Sequence, residues 1–79
     1  MIKLLLKDLI GKEVIDLAGR RLGKIKKADI ILEASTGRIE SIILGSKNSK
    51  YLIPWHGIKQ IGSRVVLIDN ALKYMKIKS

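Results

Sequence analysis

The sequence predicts an all-β domain, a small barrel of about six strands, on three observations. Apolar residues make up 47% of the chain while Phe is absent, so an interior has to be built from Ile, Leu and Val, side chains suited to a pleated, half-buried surface. Turn signals recur every ~8–15 residues, the rhythm of consecutive short strands rather than of βαβ units. The one proline, Pro54, follows Tyr51-Leu52-Ile53 and precedes the one tryptophan, Trp55. Proline has no N–H for a ladder, so a strand that begins at Tyr51 must end or reach an edge there.

Taken in order, residues Leu4 to Ile10 are too crowded with apolar side chains to show a period and read as a short strand or turn, with Asp8 able to cap one helical turn ahead of Gly11. Glu13 to Leu17 is the first strand, and Ala18-Gly19-Arg20 the turn, Gly19 being free to take a positive φ. Leu22 to Glu33 reads as one longer strand whose alternation changes phase between Ile25 and Ile30. A bulge near Lys26-Lys27 is the expected repair, since an inserted residue bends the strand as barrel closure requires. Arg38 to Leu44 is the third strand and Tyr51 to Ile53 the fourth. Trp55 to Ile58 is expected to form a single 3₁₀-like turn, followed by strands at Lys59 to Ile61 and Arg64 to Ile68. The expected core is Val14, Leu22, Ile25, Ile30, Ile39, Ile53, Ile58, Ile61 and Leu67. The domain spans 1–69. Residues 70–79 form a tail in which Leu72 and Met75 fit helical spacing while Met75 and Ile77 fit a strand, and its expected role is to cover a barrel edge or a dimer interface.

Composition excludes several chemistries. Cysteine is absent, which removes disulfides, thiolate catalysis and cysteine-based metal sites together. The one histidine, His56, has no adjacent Asp, Glu, Ser or Cys for a relay, so no catalytic residue and no enzyme is expected. The carboxylates are scattered without calcium-loop spacing, and Gly19-Arg20-Arg21-Leu22-Gly23 lacks the Lys-Ser/Thr ending and the helix of a phosphate loop, so neither metal nor cofactor is expected. The apolar residues near the start are interrupted by Lys3 and Lys7, and no run approaches the ~20 residues of a membrane span. A cytoplasmic protein is the expectation.

Sixteen Lys and Arg against seven Asp and Glu give a net charge of +9, a balance that attracts anionic partners and also discourages edge-to-edge pairing of strands. Arg20, Arg21, Lys24, Lys26 and Lys27 lie close together and form a candidate phosphate-contacting patch. No aromatic residue interleaves with them, so stacking recognition is not expected there. Trp55, beside the strand-ending proline, is a candidate interface anchor. Leu72, Tyr74, Met75 and Ile77 are the apolar residues of the tail that a dimer would bury.

Two blocks in fixed order, Gly11-Lys12-Glu13-Val14 through Gly23 and Ile53-Pro54-Trp55 through Gly62, make the chain resemble the PRC-barrel domain, and within it the small YlmC/YmxH-type proteins associated with sporulation. The resemblance implies a small β-barrel used for protein–protein contact, without catalytic residues. A non-enzymatic adaptor in a sporulation or cell-envelope setting, homodimeric, is therefore the first expectation. A nucleic-acid or ribosome-associated module is the alternative. The Gly45 to Lys50 loop is shorter than the Gly- and Phe-rich loop common in the sporulation-type proteins, so an interaction carried by that loop is not expected here.

Overall fold

The first hairpin is set by one aspartate and one glycine. Strand β1 (Glu13–Asp16) pairs antiparallel with β2 (Arg21–Lys24). At the turn Gly19 takes φ +86° and donates its N–H to the Asp16 carbonyl at 2.9 Å. The Asp16 side chain accepts from the backbone N–H groups of Ala18 and Arg20, an Asx-type turn that Asp forms readily because its short carboxylate reaches its own chain.

The computed structural model describes residues 6–45 and 49–77, with the backbone alone at Leu6, Ser49 and Ile77. Beyond the hairpin come β3 (Ile30–Leu32), β4 (Ile39–Gly45), β5 (Ser49–Pro54), β6 (Ile58–Ile61), β7 (Val65–Ile68) and β8 (Met75–Ile77). They form two four-stranded sheets, ordered β2-β1-β7-β6 and β3-β4-β5-β8. All pairings are antiparallel except β1 with β7, which runs parallel from Glu13 opposite Val65 to Asp16 opposite Ile68. The chain passes from one sheet to the other at β2–β3, β5–β6 and β7–β8. Each crossing is a 3₁₀ turn, at Lys27–Asp29, Trp55–Gly57 and Ala71–Tyr74.

The all-β expectation holds, with eight strands in place of about six. Both additions have a physical cause. The expected long strand from Leu22 to Glu33 is divided, because its change of phase marks the passage between sheets and not a bulge: Lys27–Asp29 is a 3₁₀ turn, with the Asp29 N–H bonded to the Lys26 carbonyl at 2.9 Å. The tail supplies the eighth strand, β8, which pairs with β5 from Tyr51 opposite Met75 to Ser49 opposite Ile77. The tail thus contains a 3₁₀ turn and then a strand, and the edge it covers is its own. The 3₁₀ turn expected after Pro54 is present at Trp55–Gly57. Before Gly11, the described part of the expected strand or turn is a 3₁₀ turn at Leu6–Asp8. Residues 1–5 and 46–48, which carry the rest of that reading and the centre of the short loop, lie outside the described residues.

One core lies between the sheets. Val14, Leu22, Ile25 and Ile53 are buried in it as expected, and Ile30, Ile39, Ile58 and Ile61 pack half-buried against it. Leu67 differs: it is half-buried, while its neighbours Val66 and Ile68 are fully enclosed. In an unbroken apolar run such as Val65-Val66-Leu67-Ile68 nothing local marks the inner face, and the sheet's geometry decides it. Leu9, Ile42 and Leu44 complete the interior, together with Ala71 and Tyr74 from the tail.

Candidate functional site

Among the described residues Asp16 is the most enclosed charged group, 1% exposed. One carboxylate oxygen takes the turn N–H groups of Ala18 and Arg20. The other takes the Arg20 guanidinium at 3.0 Å and, from the far end of the chain, the Ala71 N–H at 2.9 Å. The Ala71 N–H bond is the largest influence on its acidity, opposed by burial and reinforced by Arg20, and the carboxyl falls from the usual 3.8 to about 2. A second carboxylate, Asp69, accepts from the Tyr74 hydroxyl at 2.9 Å and from Lys73 at 3.4 Å. Burial opposes its charge most strongly, but the Asn70 N–H, Tyr74 and Lys73 together outweigh that and bring it also to about 2. Burial and the neighbouring Asp69 raise the Tyr74 hydroxyl above its ordinary range.

These contacts fasten the tail to the corner that bears Trp55. The Asp69 N–H bonds to the Gly57 carbonyl at 3.2 Å. Gly57 sits under the Tyr74 ring so closely that a Cβ there would lie 2.6 Å from the Tyr74 hydroxyl oxygen. Tyr74 is therefore part of the core, whereas Leu72 is 53%, Trp55 39% and Met75 36% exposed. Of the apolar residues singled out by sequence, Trp55, Leu72 and Met75 are exposed and Tyr74 is buried. The side chain of Ile77 lies outside the described residues.

An outward-facing apolar stripe was not singled out by the sequence. Ile43 of β4 stands opposite Leu52 of β5, on the face away from Ile42 and Ile53, which are buried. Leu52 is 39% exposed. Pro54, two residues on, continues the same face and leads directly to Trp55. The signal was available in Ile42-Ile43-Leu44, since a strand apolar on both faces implies a cover for each.

The basic candidates separate. Arg20 is tied to Asp16, and Arg21 faces Glu13 at 3.8 Å. Lys24, Lys26 and Lys27 are exposed. Lys24 lines two adjoining depressions: one of about 280 Å³ that also receives Lys26 and Lys50, and one of about 510 Å³ that receives Lys7, Lys12 and Arg64. His56 is exposed on the 3₁₀ turn beside Trp55. Among the described residues no group of three or more His, Asp or Glu is placed to hold a metal ion, and no helix is long and apolar enough to cross a membrane.

Two small sheets, one mixed and one antiparallel, linked by 3₁₀ turns and bearing a proline–tryptophan corner, define a small all-β domain. The PRC-barrel domain model matches residues 1–73, and the chain belongs to that family. It is 36% identical over 67 residues to the probable sporulation protein YlmC of Bacillus subtilis, covering 72% of this chain and 80% of that protein. It is 29% identical over 73 residues to the uncharacterized protein YmxH of the same organism, covering 81% of this chain and 86% of that protein.

Proposed function

We propose that this PRC-barrel protein is a non-enzymatic, cytoplasmic adaptor that docks a protein partner on the stripe formed by Ile43, Leu52, Pro54 and Trp55. The observation that carries the reading is an exposed tryptophan directly after the outward-facing Leu52 and Pro54, on a 3₁₀ turn whose Gly57 packs against Tyr74. Tryptophan is enriched among the few residues that dominate interface energy. The name of the similar Bacillus protein supports a role in sporulation.

A photo-crosslinking residue at Leu52 tests the reading in cells entering sporulation. One discrete adduct, lost when Trp55→Ala is added and absent when the probe is moved to Ser35, exposed in the turn between β3 and β4, is the expected result. Equal labelling from both positions, or an adduct indifferent to Trp55, rejects the stripe as the docking site.

A further inference from the structure

Three strands end together at one place. Glu13 at the start of β1 stands opposite Lys24 on one side and Val65 on the other. The Glu13 N–H bonds to the Arg64 carbonyl and the Ile25 N–H to the Lys12 carbonyl. Register thus gathers Lys24, Lys12 and Arg64, far apart in sequence, at the same end of adjacent strands. Strands stand about 4.8 Å apart, so the backbone positions that carry these three cations span roughly 10 Å.

The charge here is available to a ligand. The three ion pairs among the described residues engage Arg20, Arg21 and Lys73, and none involves Lys7, Lys12, Lys24, Lys26, Lys50 or Arg64. Two carboxylate residues also line the depressions, each with a partner of its own: Glu13 faces Arg21 at 3.8 Å and Asp29 accepts from the Lys26 N–H at 3.2 Å, which leaves the lysines and Arg64 in excess. Lys24 belongs to both depressions, which makes one cationic track with Lys7, Lys12 and Arg64 to one side and Lys26 and Lys50 to the other.

We propose that this track binds the phosphate backbone of a single-stranded nucleic acid. The floor is concave, so a thread can lie in it, whereas a lipid surface is flat. No Trp or Tyr lines either depression, so bases are not stacked and recognition is independent of sequence. Arg64 presents a planar fork to phosphate oxygens, and the lysines act as point charges around it. The net charge of +9 adds a longer-range attraction that a densely charged polyanion exploits most fully. The track adjoins the stripe at Ile43, which lines the depression of Lys26 and Lys50, but neither depression is lined by Leu52, Pro54 or Trp55.

Fluorescence anisotropy of a fluorescein-labelled polyuridine strand with the full chain provides the test. Log K is expected to fall with log salt with a slope of about −2 to −4, at ~0.7 per phosphate for three to six contacts. Lys24→Gln with Arg64→Gln should weaken binding about tenfold and make the slope shallower by about 1.4. The charge-matched pair Arg38→Gln with Lys59→Gln, both off the track, should leave most of the affinity. Amide shift changes in the wild-type protein should centre on Lys12, Lys24 and Arg64, a readout independent of any variant. Equal weakening by the two pairs, absence of binding at ~0.05 M salt, or shifts centred elsewhere overturns the proposal. Tighter binding to vesicles containing phosphatidylglycerol, or to polyglutamate, also overturns it, assigning the track to a lipid surface or an acidic protein segment.

Discussion

At Gly57 one missing methyl group decides how the tail seats. A Cβ there would press on a tyrosine ring that cannot retreat, because Asp69 holds its hydroxyl at 2.9 Å and the ring is buried. Gly57→Ala should cost about 1–3 kcal/mol as overpacking. Combining it with Tyr74→Phe should cost less than the sum, since the oxygen nearest the new methyl is gone; urea denaturation of the four members of the cycle measures this. A fully additive cycle would show that the two residues do not press on each other. Asp16 and Asp69 govern the response to acid. Both carboxyls titrate lower in the folded chain, at about 2, than at their usual 3.8. The stability they contribute is present above the unfolded value and is lost as pH falls from there through about 2. Urea midpoints should be flat above pH 5 and drop steeply below pH 4, and Asp16→Asn should shrink that drop. At this scale the sequence was partly legible: the Gly19 turn and the Trp55 corner follow from local chemistry. The enclosure of Asp16 does not, because its fourth bond comes from Ala71.

The tail shows what an element can hide. Its spacing supported both a turn of helix and a strand, and it is both in succession, a 3₁₀ turn at Ala71–Tyr74 and then β8. Ten residues offer no period long enough to reveal a switch, and the pairing partner, β5, lies 24 to 28 residues earlier. The second strand failed for the opposite reason. Its phase change was visible, but a bulge and a crossing between sheets leave the same trace in alternation, and only the partners of β2 and β3 distinguish them. Since Ala71 is fully buried and Tyr74 nearly so, removing the tail is a test of folding. Tyr74→Ala should cost about 3–5 kcal/mol, in the range of large aromatic deletions, and a chain ending at Asn70 should unfold at markedly lower urea than the full chain.

For the whole molecule, the class of fold and the anionic-partner tendency follow from composition, while the placement of charge does not. The run from Arg20 to Lys27 looked like one patch, yet two of its cations face carboxylates and the accessible track draws on Lys7, Lys12, Lys50 and Arg64 from other segments. We propose that self-association, if it uses the tail, does so through Leu72 and Met75, which stay exposed after β8 has paired within its own chain. Leu72→Lys with Met75→Lys leaves the buried residues intact, so sedimentation at tens of micromolar should move from dimer to monomer without loss of folded signal. An unchanged sedimentation coefficient excludes that surface.

The parallel pairing of β1 with β7 also constrains when the protein can fold. Residues 13–16 lie beside residues 65–68, so the strand at the centre of the first sheet waits for nearly the whole polypeptide before it gains its second neighbour. During synthesis at ~5–20 residues per second, the early hairpin emerges seconds before its partner and cannot be locked in place. Loop closure on that scale has to precede the contacts that reward it, which places such a topology toward the slow end of small-domain folding, on the order of milliseconds to seconds. Ribosome-bound chains stalled before Val65 clears the exit tunnel should remain protease-sensitive throughout. Protection should then appear in one step, sheet and tail together, once Ala71 can reach Asp16.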